Sequence, residues 1–314
     1  MALGSEFRGT LTGLGMVVAA VLVAISVSFG IPGQELLQSL RFHIVLAALP
    51  LVALLALSGA RLRSLVLLGL LALSAAEGGA VVYGQLQRRS PPTEIGASLS
   101  LLSFNVLFDN AQNQRVIDYL LGDPPDIAVI LEARGIRDKL DALRATYPTA
   151  IGCDPTEQCE AVILSRLPVL QSRVYAFPPF RQQRLVTALV ELNGVKVTIV
   201  AIHLTKPYFD AASIGELEML RSILSYQSGP LVLAGDFNAA PWSRAVASAV
   251  ADTQLAPAPA FPATWPIELG AFGVPIDNMF SRGGAFIRTI ESLPDAMASN
   301  HRALRATIDI AAAP

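Results

Sequence analysis

The sequence predicts a mixed α/β domain of two stacked β-sheets flanked by helices, preceded by three transmembrane helices. Three observations carry this. The apolar excess of the 314-residue chain is concentrated in residues 10–83. From residue 98 onward come about nine short runs rich in β-branched residues and bounded by Gly, Pro, Asn or Asp. Only three stretches of that part carry helical periodicity, and nine strands with so few helices to cover them pack as two sheets rather than one.

Composition narrows the class. Hydrophobic residues make up 53% and charged residues 15%, against a usual share of about a quarter charged. That excludes a disordered chain, and 23 Gly and 21 Pro without a triplet period exclude a fibrous one. A mean hydropathy of +0.51 exceeds that of an ordinary water-soluble domain. The net charge of −2 excludes a globally basic nucleic-acid binder. Two cysteines cannot build a disulfide-rich scaffold.

Residues 1–83 form the expected membrane region, with spans at about 11–29, 43–60 and 64–83. The opening MALGSEF carries no weight in this reading. About 20 apolar residues cross a bilayer as a helix. The second run is short and carries Pro50, which neighbouring helices make tolerable. The third contains Glu77 among small residues (SAAEGGA), a setting for close helix approach. Glu77 is either a functional intramembrane carboxylate or part of a packing face turned toward a partner helix or the interface. A signal peptide followed by soluble core helices is the competing reading; no clear small-residue cleavage pattern follows the first run. His43, at the start of the second span, is expected at the interface. Flanking cations tie, with Arg8, Arg61 and Arg63 on one side and Arg41, Arg88 and Arg89 on the other. Cys153 and Cys159 flank a tight turn and either close a small disulfide loop or stay free thiols. A disulfide favours an oxidising compartment, so the expectation is an integral protein of a bacterial inner membrane with its catalytic domain outside the cytoplasm.

Residues 84–97 read as a linker, stiffened at Ser90-Pro91-Pro92. The domain proper covers 98–314. Residues 91–314 hold 17 basic against 22 acidic residues, an excess of five negative charges. Strands are predicted at LSLLSFNV, DIAVIL, AVILS, RLVTALVEL, VKVTIVAIH, PLVLAGDF, PIDNMFS, AFIRTIES and ALRATIDI. Helices are predicted at QRVIDYLL, IRDKLDALRATY and SIGELEMLRSILSYQ; in the last, Ile214, Leu217, Leu220, Ile223 and Leu224 make one apolar face.

Several of these apolar strands end in residues a core would not select. Asn105, Glu132, His203, the Asp236/Asn238 pair, Asp277 and the Asn300-His301 pair each stand at or near a strand end. Taken singly they have ordinary readings: a bulge at Asn105, helix caps at Glu132 and at Asp236 (for residues 241–249), a core histidine at 203. Together they make a set of hard oxygen ligands with two imidazoles, suited to Mg²⁺, Mn²⁺ or Ca²⁺. Phosphoester hydrolysis uses such a set. A hard cation neutralises the phosphate, an imidazole takes a proton from water, and a carboxylate fixes its tautomer.

On these residues the chain resembles the endonuclease/exonuclease/phosphatase superfamily, which has the DNase-I-like four-layer sandwich, and in particular a membrane-anchored bacterial-type member. The most specific element is GDFNAAP at 235–241. Before it come FNV, the Glu after an apolar strand, AVILSRLP at 161–168 and a His-Leu pair; after it come an Ile-Asp strand and a Ser-Asp-His-like end. The resemblance implies that Glu132 and Asn105 hold the metal, with Glu132 the principal ligand. It implies that Asp236 and Asn238 align water or phosphate and add metal contacts. His203 would donate to the phosphate or assist the leaving group, and Asp277 would orient His301, the general base or its electrostatic equivalent. Relatives usually have Asp where this chain has Asn300, which bears on a second metal position. They often have His or Tyr where it has Asn278.

Arg181, Arg184 and Lys206 are candidate substrate contacts, the first two in FPPFRQQR, which reads equally as a plain hairpin. Trp265, in APAPAFPATWP, would stack on a base, rest on lipid, or pack in the core. The implied activity is metal-dependent hydrolysis of a phosphodiester or phosphomonoester carried by a lipid, a nucleic acid or a small molecule. The alternatives are a nuclease working near the membrane, and a catalytically weak phosphate-binding membrane receptor or scaffold.

Overall fold

The computed structural model describes residues 2–27, 29, 32–153, 159–178, 181–207 and 210–312. Four helices open the chain: α1 (Ala2–Ser26), α2 (Gln34–Ser39), α3 (Arg41–Leu57) and α4 (Arg61–Leu86). Among the described residues, two stretches are long and apolar enough to cross a membrane, Gly4–Ser26 and Arg61–Leu86. This corrects the expected count of three. The middle helix has 17 residues, about 26 Å at 1.5 Å per residue, short of a hydrocarbon core about 30 Å thick. It packs with α1 and α4 through one apolar cluster that includes Leu22, Ala48, Leu55 and Leu71. Glu77 meets a partner helix, as the packing alternative expected. Arg41 of α3 donates to it at 2.8 Å and Ser26 of α1 at 2.6 Å.

The rest is a sandwich of two six-stranded sheets. The strands are β1 (Ile95–Asn105), β2 (Ile127–Leu131), β3 (Thr149–Ile151), β4 (Ala161–Ser165), β5 (Val169–Phe177), β6 (Gln182–Leu192), β7 (Val195–His203), β8 (Leu231–Asp236), β9 (Ala256–Pro257), β10 (Asp277–Arg282), β11 (Ala285–Ser292) and β12 (Leu304–Ala311). One sheet runs β11-β12-β1-β2-β4-β3 and the other β5-β6-β7-β8-β10-β9. Alternate residues of the inner faces, such as Leu101 and Val129 against Ile199 and Val232, form the inter-sheet core. On the outer faces α5 (Gln114–Gly122) covers the first sheet, and α6 (Asp210–Ser225) and α7 (Arg244–Asp252) the second. All nine predicted strands are present. The segment from Ala133 to Leu143 is a series of 3-10 turns rather than the expected α-helix. Its Ile136 and Leu143 do face the core. The spacing identified the buried side but not the tighter winding. The chain is also pressed against a neighbouring loop there, since a Cβ at Gly135 would lie 2.3 Å from the Leu107 carbonyl. In α6, Ile214 is exposed while Leu217, Leu220, Ile223 and Leu224 are buried.

Cys153 and Cys159 form a disulfide with Cα atoms 4.6 Å apart. The turn expected between them, residues 154–158, lies outside the described residues, as do positions 179 and 180 of the FPPFRQQR segment.

Candidate active site

Strand direction brings the polar ends to one end of the sandwich. β1 and β2 are parallel, as are β7 and β8, so Asn105, Glu132, His203 and Asp236 share that end. β10 and β12 run the other way and start there, which adds Asp277 and His301. Asp236 sits opposite both His203 and Asp277 in register. Gly235 makes this possible. At φ +154 its missing Cβ would lie 1.8 Å from the Ile202 carbonyl, so no larger residue fits ahead of Asp236.

Asp236 is the centre. Its Oδ1 accepts the Asn238 N–H at 2.7 Å and its Oδ2 accepts Asn105 Nδ2–H at 3.0 Å. Asn105 Nδ2 also donates to Glu132 Oε1 at 3.1 Å, and Glu132 Oε2 accepts the Phe108 N–H at 2.8 Å. Glu132 holds a left-handed backbone, φ 50, at about 1 kcal/mol or more of strain. Glu132 stands at the N-cap position of the 133–143 turns but makes no side-chain cap bond, and the N-cap position of α7 is Ser243 rather than Asp236. Asn238, also left-handed, donates through Nδ2 to the Leu204 carbonyl at 2.7 Å.

Two histidines flank Asp236. His301 Nδ1 lies 2.8 Å from Asp277 Oδ2, and its Nε2 lies 3.9 Å from Asp236 Oδ2. His203 Nε2 lies 3.8 Å from that same oxygen, and its Nδ1 lies 3.4 Å from Glu160 Oε2, at charge-pairing distance without hydrogen-bond alignment. Burial by itself pulls the His301 pKa down. The Asp277 and Asp236 carboxylates outweigh it and push the pKa up to about 9. Burial, and after it the charge of Asp277, raises the pKa of Asp236. Burial alone would raise Glu160, but His203, Arg184 and Arg134 hold it below the usual carboxylate range.

Ligand atoms of Asp236, Asp277 and His301 lie within 4.8 Å of one another, all three residues buried. Asp277 Oδ1 is buried without a hydrogen-bond partner. The orphaned Asp277 oxygen, the Asp236 carboxylate and the Glu132 carboxylate joined to it through Asn105 together carry more negative charge than the one His301 imidazole offsets, and a hard divalent cation supplies the balance. The donor set therefore fits the cation that the sequence called for.

A cleft of about 470 Å³ adjoins the centre, lined among others by Glu132, His203 and Asn238 and by the cations Arg134, Arg184 and Lys206. Arg184 is held by Gln182 Oε1 at 2.6 Å and Thr205 Oγ1 at 3.0 Å. Arg181 lies outside the cleft lining, on the exposed turn before β6. Trp265 is also outside it, in the loop leading to Asp277, and Asn300 is exposed. The buried contact beside Asn300 belongs to Ser299, whose Oγ donates to the Asn105 carbonyl at 2.6 Å and accepts the His301 N–H at 3.1 Å. Asn278 turns its side chain to the Pro275 carbonyl at 2.9 Å. Glu160, Ser299 and Arg134 escaped the sequence reading. Of the three, only Glu160 carried a usable signal, as a charged residue just ahead of the apolar strand AVILS.

Residues 102–301 match the sequence profile described as the Endonuclease/Exonuclease/phosphatase family. Among solved structures, one of that description from Beutenbergia cavernae has a TM-score of 0.57 at 21% identity, with 69% of this chain and 72% of that chain covered. A humanized D. rerio TDP2 has a TM-score of 0.55 at 19% identity, covering 67% and 98%. Sphingomyelinase C from Streptomyces griseocarneus has a TM-score of 0.51 at 16% identity, covering 67% and 99%. At these identities the structures attest the shared fold. A search of the curated proteins gave no match. The family profile spans well over half of the chain and includes every strand end that meets at Asp236, and on that ground the chain belongs to the endonuclease/exonuclease/phosphatase family.

Proposed function

We propose that this protein is a membrane-anchored, divalent-metal-dependent phosphoesterase that hydrolyses a phosphodiester or phosphomonoester. The observation that carries the reading is the buried Asp236–Asp277–His301 cluster, joined through Asn105 to Glu132. Glu132 and Asp236, joined by Asn105, would hold the cation, with Mg²⁺, Mn²⁺ or Ca²⁺ matching their carboxylate oxygens. When bound, the ion supplies Lewis-acid polarisation of a phosphate oxygen and offsets the carboxylate charge. The remaining work falls to the chain's own groups. Asp277 holds His301 Nδ1–H and so fixes its tautomer, leaving Nε2 turned to the reaction space beside Asp236. In its unprotonated form, whose share grows as pH rises toward about 9 in the metal-free protein, His301 takes a proton from water there. His203, with Glu160 behind it, donates to a phosphate oxygen or to the leaving group. Asn238 aligns the phosphate, and Arg184 and Lys206 bind its anionic surroundings in the cleft.

Anchoring rests on α1 and α4, each long and apolar enough to span. The Cys153–Cys159 disulfide supports a catalytic domain outside the cytoplasm of a bacterial cell. The excess of acidic residues in 91–314 weighs against nucleic acid, whose binding is normally dominated by Lys and Arg contacts. The test is turnover of bis(p-nitrophenyl) phosphate by the full chain in detergent, with and without Mg²⁺ or Mn²⁺. Metal-dependent turnover that disappears in Asp236→Ala and Glu132→Ala supports the reading; metal-independent turnover, or full activity in either variant, refutes it.

A further inference from the structure

The contacts between the helical region and the sandwich cluster at the active-site end. The Ala240 N–H donates to Ser39 Oγ at 2.9 Å, and the Trp242 indole N–H donates to the Gln38 carbonyl at 3.1 Å. Gln85, on the last turn of α4, donates to the Pro241 carbonyl at 2.7 Å. These partners directly follow Asp236 and Asn238 in sequence. From Gln85 the chain climbs away. Arg89 donates to the Pro257 carbonyl at 2.6 Å and the Ile287 carbonyl at 2.9 Å, and the Glu94 carbonyl accepts the Ala312 N–H at 3.1 Å. Ala312 follows the last residue of β12, a strand that starts at the active-site end, so the linker finishes at the opposite end. A domain hung in this way turns its active-site end toward the layer occupied by the helices.

One loop reaches that layer. His43, in the first turn of α3, donates through Nε2 to the Phe272 carbonyl at 2.7 Å. It stands two residues beyond Arg41, which pairs with Glu77 of α4 at 2.8 Å. The loop exposes large apolar side chains at this level: Phe272 is 73% exposed and Leu269 50%, with Trp265 nearby. Clustered exposed Phe, Leu and Trp beside spanning helices suit the headgroup–acyl boundary. The base of the same loop touches the catalytic pair. Thr264 Oγ1 accepts the Asp277 N–H at 3.2 Å, and the Thr264 carbonyl accepts the N–H of Arg302, next to His301, at 3.0 Å.

We propose that the Trp265–Phe272 loop lies in the headgroup layer of the bilayer holding α1 and α4, and that the active site takes its phosphodiester from a lipid of that bilayer. This deepens the phosphoesterase reading and rests on it. Water adds to phosphorus, one ester P–O bond breaks, the leaving oxygen takes a proton, and the diester becomes a monoester.

The test reconstitutes the full chain in vesicles of phosphatidylcholine and phosphatidylglycerol. Conversion of lipid diester to monoester is followed by phosphorus-31 NMR, with soluble bis(p-nitrophenyl) phosphate assayed on the same sample. Phe272→Asp and Leu269→Asp are each expected to lower lipid turnover at least about tenfold and to leave the soluble ester within about twofold. Phe272→Trp is expected to keep lipid turnover. Unchanged lipid turnover in both Asp variants, or an equal loss on both substrates, overturns the proposal. So does a wild-type chain that cleaves the soluble ester and an oligonucleotide but leaves the lipid intact. A wild-type chain inactive even on the soluble ester removes the phosphoesterase reading itself, a result separable from failure of the loop variants.

Discussion

The two sides of the active site are built on one plan and differ in tightness. On each, a histidine backed by a carboxylate points Nε2 at Asp236 Oδ2, from 3.9 Å for His301 and 3.8 Å for His203. Behind His301 the carboxylate is Asp277, on β10, 2.8 Å away and 2% exposed at the side chain. Behind His203 it is Glu160, just ahead of β4 at the cleft, 3.4 Å away and 19% exposed. Both pairs bridge the two sheets, Asp277 on β10 meeting His301 ahead of β12 and His203 on β7 meeting Glu160 ahead of β4. The first is secured by Ser299 and Thr264, while the second borders the substrate cleft. The tight side suits a group that must hold one tautomer, and the loose side a group that adjusts to the bound phosphate.

Variants can break or sharpen this contrast. The largest loss is expected for His301→Ala, about 10³-fold in kcat on a soluble phosphodiester; a loss below tenfold would erase the distinction between the sides. His203→Ala is expected to cost about 10²-fold. Glu160→Gln comes next, about tenfold or less, appearing in KM as much as in kcat because Glu160 adjusts His203 rather than locking it. A kcat loss in Glu160→Gln that equals the one in His301→Ala would show that the two sides are equivalent.

A pH experiment sharpens the tight side in the metal-free protein. The His301 pKa, at about 9, stands above its ordinary 6.5. The stabilisation it contributes is therefore complete below about 6.5 and fades as pH rises through about 9. NMR titration should place its midpoint well above 6.5, and Asp277→Asn should bring it down. The gap in thermal midpoint between wild type and His301→Ala should narrow over the same pH range. A midpoint near 6.5 in wild type would contradict the assigned environment. The smallest effect is expected for Ser299→Ala, about 1 kcal/mol of stability for its two hydrogen bonds, read from chemical denaturation.

Much of this was legible in the sequence because polar residues at the ends of apolar strands are conspicuous. Asn105, His203, Asp236 and Asp277 each break a run of core residues, and each ends up buried at the common end. What stayed hidden has physical reasons. β5 is an edge strand with mostly exposed side chains, and β3 and β9 have three and two residues, too short for a period to register. Glu160 and Ser299 act through neighbours supplied by distant chain segments, His203 in one case and Asn105 in the other. The docking of Ala240 and Trp242 on α2 is equally non-local, because nothing near Ser39 in sequence announces a partner two hundred residues away. Asn300 shows the opposite case, with an exposed side chain. Its motif position suggested a ligand, while the neighbouring Ser299 makes the buried contacts.

The central claim is that Asp236 joins a cation site to both histidines, and the most direct measurement is a titration of Mn²⁺ into metal-stripped wild type and Asp236→Asn, with bis(p-nitrophenyl) phosphate turnover read at each addition. Saturable activation of the wild type, reversed by chelation and reduced by about 10³-fold or more in Asp236→Asn, is the predicted result. Turnover that survives chelation, or that is equal in the two proteins, would contradict it.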